Sequence, residues 1–214
     1  MSSSQSEGYF ALPSSGIGDP VLVLHAWWGL NGTIKGFCRR LATEGFVAFA
    51  PDLYHGKIAT TIPDAEALGS ALDSHAAETE VADAAAFLSE RAGAPARGIA
   101  VIGFSLGSAY AFDLSANAPE RVHSVVSFYG AGEADFSEAR AEYLGHFAER
   151  DEYEPIEYIT ALEDSLKRAN RPVTFHRYPG VGHWFFEPDR PQAYNADAAA
   201  LAWDRTLAFL KRNT

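Results

Sequence analysis

The chain has 214 residues, 47% of them hydrophobic and 13% aromatic, enough for one domain around a sizeable core. Its 17 basic against 28 acidic side chains leave a formal charge of −11, which argues against nucleic acid and anionic membrane as partners. One cysteine, Cys38, excludes an intrachain disulfide and fits a reducing compartment, and no apolar run is long enough to span a bilayer.

Residues 1–7 are polar and Ser-rich, without the basic start or apolar core of a signal peptide. The expectation is a disordered tail on a cytoplasmic protein, with one domain over 8–214. Gly8 to Leu12 reads as a short edge strand. Val21-Leu22-Val23-Leu24 is apolar without alternation, as in a strand buried on both faces. The loop that follows, His25-Ala26-Trp27-Trp28-Gly29-Leu30-Asn31-Gly32, is unusually aromatic. Thr33 to Glu44 has helical spacing, with Ile34, Phe37, Cys38 and Leu41 on one face. On that apolar face Cys38 reads as a small buried hydrophobe, not a nucleophile.

Phe46 to Ala50 is a second buried strand, ending in the loop Pro51-Asp52-Leu53-Tyr54-His55-Gly56-Lys57. Asp64 to Arg91 is Ala-rich and mostly helical, with a break expected at Gly69. After a turn over Gly93–Arg97, a strand leads into Gly103-Phe104-Ser105-Leu106-Gly107 and a helix to about Asn117. His123 to Tyr129 is another strand, and Tyr143 to Ala148 a shorter one that delivers Glu149-Arg150-Asp151-Glu152. A helix over Pro155–Ala169 follows, with the proline in its first turn. Val173 to Tyr178 alternates, as a strand near a sheet edge does. The loop Pro179 to Phe186 and a helix over Tyr194–Lys211 close the chain. No composition break or internal repeat divides it. Strands alternating with helices predict an α/β fold: a mostly parallel twisted sheet with helices on both faces. Function then collects at the C-terminal ends of the strands.

Gly103-Phe104-Ser105-Leu106-Gly107 is Gly-x-Ser-x-Gly between a strand and a helix. It predicts a nucleophile elbow, a turn so sharp that side chains two positions either way from the serine would collide with backbone. The pattern alone also fits an ordinary glycine-bordered turn with an incidental serine, so the rest of the chain decides. Serine is a weak nucleophile and needs a base; a histidine can take its proton and return it to the leaving group. His183 follows the last strand, between Gly182 and an aromatic run, and is the expected base. A carboxylate would orient that imidazole. Glu149, Asp151 and Glu152 compete for the role, with Asp151 preferred, Glu149 next and Asp135 an outside candidate. The chain order nucleophile, acid, base is that of α/β-hydrolases. The backbone N–H of Leu106, at a helix N-terminus, and that of Trp27 are expected to hold an oxyanion. His25, Trp28, Tyr54, Tyr129, Trp184 and Phe185 are expected to line the substrate pocket. His75, His123, His146 and His176 read as surface or framework residues.

These residues resemble the dienelactone hydrolase family of α/β-hydrolases. The matching pieces are His25 to Asn31, Ala50-Pro51-Asp52-Leu53-Tyr54, the elbow, Phe128-Tyr129-Gly130, Asp151 to Pro155 and Tyr178 to His183, and they span most of the chain. The resemblance implies a single-domain hydrolase without a large lid, with a triad of the elbow nucleophile, Asp151 and His183. The family's namesake enzymes carry cysteine where Ser105 stands and a glutamate where Ala26 stands. The two differences agree, since a serine deprotonated during attack needs no thiolate-generating carboxylate. The resemblance also places substrate-binding arginines after Tyr54, where His55-Gly56-Lys57 stand, and after the histidine, where Glu187 stands. An anionic lactone is therefore disfavoured. The expected activity is serine-dependent hydrolysis of an uncharged ester or lactone. Dienelactone hydrolysis proper, thioester or acyl-peptide hydrolysis, and non-catalytic ligand binding are the alternatives. No metal or organic cofactor is implied, and a monomer or small homo-oligomer is expected.

Overall fold

A computed structural model describes residues 7–93 and 95–212; the expected tail over 1–7 lies outside them apart from Glu7. The strands are β1 (Gly8–Ala11), β2 (Pro20–Leu24), β3 (Val47–Pro51), β4 (Ile99–Phe104), β5 (Val122–Phe128), β6 (Glu142–Ala148) and β7 (Val173–Tyr178). The helices are α1 (Gly32–Thr43), α2 (Ile62–Ala71), α3 (Ser74–Arg91), α4 (Leu106–Asn117), α5 (Ile156–Arg168) and α6 (Ala196–Arg212). The strands form one sheet in the order β1-β3-β2-β4-β5-β6-β7. Among the described residues, only the β1–β3 pair is antiparallel. The sequence order reverses at β2, so the loops after β2 and β4 diverge there and leave a crevice at the strand ends.

The unbroken apolar strands follow from covering both faces. Along β2, Val21 and Val23 point to one side and Leu22 and Leu24 to the other, as a pleat requires. The Val21 side packs with Ile34, Phe37 and Leu41 of α1 and Ala202, Trp203 and Phe209 of α6. The Leu22 side packs with Val81 and Leu88 of α3, Phe112 of α4 and Leu162 and Leu166 of α5. β7 lies at the sheet edge and is mostly intermediate or exposed, without the alternation expected of it, while β6 beside it is almost wholly buried.

Three expectations about elements change. The break between α2 and α3 lies at Leu72-Asp73 instead of Gly69. Asp73 supplies the cause: its side chain accepts the Ala76 N–H and caps a new helix. Gly69 stays helical. β6 has seven residues, as many as β5, because it runs inside the sheet between β5 and β7. Tyr129 falls past the end of β5 with φ at +41°, turning the chain out of the strand.

α4 is pressed hard against β2. A Cβ on Gly107 would stand 2.4 Å from Leu24 O, a contact that only backbone movement relieves. Gly107→Ala is expected to cost about 3 kcal/mol, as overpacking does at a rigid contact. Urea denaturation measures it; a variant as stable as the parent would show that β2 yields freely.

Candidate active site

Ser105 sits between β4 and α4 with φ +50° and ψ −115°, a conformation that costs a non-glycine residue roughly 1–3 kcal/mol. The surroundings hold it there. Its amide donates to Phe128 O at 2.9 Å, and its carbonyl accepts from the Ser108 amide at 2.8 Å. The flanks must be bare for the turn to close. A Cβ on Gly103 would meet Ser108 Cα at 2.4 Å, and one on Gly130 would meet Ser105 O at 2.4 Å. The hydroxyl is thereby held at the top of the sheet, half-buried, at the N-terminus of α4.

A hydrogen-bonded chain leads away from that hydroxyl. Ser105 Oγ lies 2.9 Å from His183 Nε2, and His183 Nδ1 lies 2.8 Å from Asp151 Oδ2. A carboxylate only accepts, so its bond to Nδ1 puts the proton there and leaves Nε2 as the acceptor facing Ser105. Asp151 is fixed in turn. Its other oxygen accepts the amides of Tyr153 and Glu154 at 2.9 and 3.0 Å, closing the tight turn before Pro155. The competing carboxylates lie elsewhere. Glu149 is exposed while its amide is spent on Tyr178 O, and Asp135 is exposed and accepts the Ser137 amide.

The residues expected in the pocket divide into two groups, and Trp27, expected as an oxyanion donor, stands with Trp184 in the first. Trp27 is half-buried and Trp184, at φ +61°, keeps 9% exposure; their rings stack at 5.8 Å, and Trp184 meets His183 at 5.0 Å. The others are framework. His25 is wholly buried: its Nδ1 donates to Ala26 O at 2.7 Å and its Nε2 accepts the Leu53 amide at 3.3 Å. Burial pushes its pKa down, so it is a neutral staple between the loops after β2 and β3, not a pocket wall. Tyr54 lies under α2 with its ring against His25, and the Trp28 ring carries the Arg190 guanidinium on its face at 3.6 Å. Tyr129 and Phe185 are wholly buried. Leu106 opens α4, where an amide has no intrahelical acceptor, and Trp27 is the first central residue of a turn closed by Gly29 N–H to Ala26 O.

Sequence reasoning gave Tyr153 no role. The residue is 37% exposed, and its ring stands 5.3 Å from His183, 4.7 Å from Trp184 and 5.6 Å from Trp27. The available signal was its place two residues after Asp151, on the same tight turn. Glu187 is the other surprise. Expected to face the substrate, it is wholly buried, and its Oε1 accepts the Tyr129 hydroxyl at 2.8 Å. Burial pushes its carboxyl up to about 8, while the Tyr129 hydrogen bond pulls the other way.

With this geometry in place, similarity to known proteins decides the family. The model of the dienelactone hydrolase family matches residues 6–214. The chain belongs to the dienelactone hydrolase family. It is 32% identical over 95% of its length to "Protein usf" of Aquifex pyrophilus, covering 92% of that protein. It is 31% identical, with the same coverage of both chains, to a "Putative carboxymethylenebutenolidase" of Aquifex aeolicus. A crystal structure titled as a putative dienelactone hydrolase from Klebsiella pneumoniae superposes with a TM-score of 0.82 at 26% identity, over 94% of this chain and 90% of that one. The family and the fold make this dienelactone hydrolase family member an α/β-hydrolase.

Glu187 gives this family member a specific pH dependence. Its carboxyl ionises near 4.5 in an open chain and near 8 when folded. Between those values the unfolded chain binds fewer protons, so stability falls as pH rises, by on the order of 1 kcal/mol per pH unit. The loss is absent below the lower value and complete above the upper one. Glu187→Gln removes it, so the variant's melting temperature relative to the parent is expected to rise between pH 5 and pH 8. Scanning calorimetry tests this; a pH-independent difference would show that Glu187 is already ionised in the folded protein.

Proposed function

We propose that this protein is a serine-dependent hydrolase of uncharged ester or lactone bonds that works through an acyl-enzyme. The observation that carries the reading is the unbroken path Ser105 Oγ to His183 Nε2 at 2.9 Å and His183 Nδ1 to Asp151 Oδ2 at 2.8 Å. Those distances let the base take the hydroxyl proton as the oxygen attacks a carbonyl carbon. Asp151 keeps Nδ1 protonated and stabilises the imidazolium that forms. The carbonyl π pair moves to oxygen, which the amides of Leu106 and Trp27 receive. Collapse of this tetrahedral species expels the alkoxide, which takes the proton from His183 Nε2. Water then repeats the sequence on the acyl-serine: His183 accepts its proton, and Ser105 Oγ leaves and recovers one.

The preference for an uncharged substrate is supported by what surrounds His183. Trp27, Tyr153 and Trp184 form an apolar aromatic wall beside it. Glu187 occupies the place where the family resemblance puts a carboxylate-binding arginine, and it turns inward to Tyr129. Lys57 is exposed on the loop after Tyr54.

A fluorophosphonate probe followed by peptide mapping tests the reading, together with p-nitrophenyl esters of graded chain length. Labelling is expected at Ser105. Ser105→Ala is expected to abolish it and to lower kcat by on the order of 10⁴-fold or more, with the fold intact. No labelling and no turnover would favour a ligand-binding protein on a hydrolase fold. A strong preference for anionic lactones would overturn the substrate class alone.

A further inference from the structure

The proposed reaction makes no use of the buried polar pair beside its base. Tyr129 is wholly buried, with its ring centroid 4.9 Å from that of His183. Its backbone is fixed: the amide donates to His146 O at 2.8 Å, and φ is +41°. Its hydroxyl donates to Glu187 Oε1 at 2.8 Å. Glu187 is held from both sides, its amide donating to Trp184 O and its carbonyl accepting the Arg190 amide, each at 2.9 Å. Its second oxygen, Oε2, is buried with no protein partner, and the carboxyl forms no ion pair among the described residues. Packing alone would be satisfied by phenylalanine at 129 and an apolar residue at 187. A carboxyl enclosed with one hydrogen bond costs stability, so a role beyond packing is the economical explanation.

We propose that Glu187, acting through Tyr129, is a positioning residue for His183, the pair bracing the imidazole and setting the electrostatic environment in which it takes the Ser105 proton. The proposal rests on the reading of Ser105 and His183 given above. The titratable and charged groups around the carboxyl are few. Tyr129 comes from the end of β5, with Asp151 and His183 beyond it. Asp189 and Arg190 lie on its own segment. Asp189 is engaged by the neutral Asn31 and Thr33 at the start of α1 and by Arg190 Nη2 at 3.5 Å, and the Arg190 guanidinium lies on the Trp28 ring. Near neutral pH burial keeps Glu187 protonated, and its ionisation sets in at about 8. A negative charge arriving behind Tyr129 favours the imidazolium form and so strengthens the base.

The experiment is the rate of fluorophosphonate labelling of Ser105 between pH 6 and pH 9.5, corrected for probe hydrolysis, with circular dichroism confirming the fold at each pH. The wild-type rate is expected to show a severalfold rise through about pH 8. Glu187→Gln is expected to lose that rise. Tyr129→Phe is expected to move it to higher pH, because the hydroxyl's hydrogen bond favours the ionised carboxyl. Should Glu187→Gln fail to fold, the Tyr129→Phe shift alone decides. A labelled wild type whose profile superimposes on that of the folded variants overturns this inference and leaves the hydrolase reading intact. A wild type that does not label at any pH overturns both.

Discussion

The close approach of α4 to the ends of β2 and β5 is the constraint on which the rest of the site depends. Ser105 can hold φ +50° only because Gly103, Gly107 and Gly130 carry no Cβ where backbone already stands. The strain is retained because the surrounding sheet over-determines it: the Ser105 amide is tied to β5 through Phe128 O. The outcome is geometric. A serine in relaxed helical conformation would point along its helix, whereas here the hydroxyl stands clear of the sheet with unpaired helix amides beside it.

Three loops then have to meet at that hydroxyl, and each is held by a different device. The loop after β2 is stapled to the loop after β3 by His25, which works because the imidazole is neutral and can donate at one nitrogen and accept at the other. The loop after β6 is shaped by Asp151 itself. One carboxylate oxygen closes the turn through two amides, which leaves the other aimed at His183. The loop after β7 turns back through Trp184 at φ +61°, so the chain reverses directly after His183 and sends Phe185 into the core. Side chains 78 and 32 residues apart in sequence thus meet within hydrogen-bond distance on fixed supports.

The strand and helix order was legible because both faces of the sheet are covered. Unbroken apolar runs such as Val21–Leu24 have few other uses, and the glycines around Ser105 mark a turn that tolerates no side chain. The meeting of Ser105, Asp151 and His183 was legible for a related reason, since each lies on the segment after a strand and strand ends converge on one edge. What stayed hidden depends on contacts across the fold. Nothing local separates Trp27, half-exposed at the mouth, from Trp28 beside it, buried under Arg190. His25 ends a strand just as a site residue would, and only the Leu53 amide opposite shows it to be structural. The α2–α3 boundary was placed at Gly69 because glycine is the usual interrupter, yet the helix stops where Asp73 offers a cap.

Glu187 shows why a residue's place in a motif does not fix its action. Four positions after His183, a charged side chain at the mouth would select substrates by charge. Turned inward, the same side chain meets the Tyr129 hydroxyl instead. The backbone decides between these: Glu187 N–H is bound to Trp184 O and Glu187 O to Arg190 N–H, so the segment is wound into successive turns that carry the carboxyl toward Tyr129. Arg190, the nearby cation on the same segment, lies on the Trp28 ring and reaches Asp189 and Thr60 O. What stands beside His183 is the ring cluster of Trp27, Tyr153 and Trp184. Glu187 thus reaches Tyr129, whose ring lies against His183, while Tyr153 and Trp184 border the imidazole with aromatic surface.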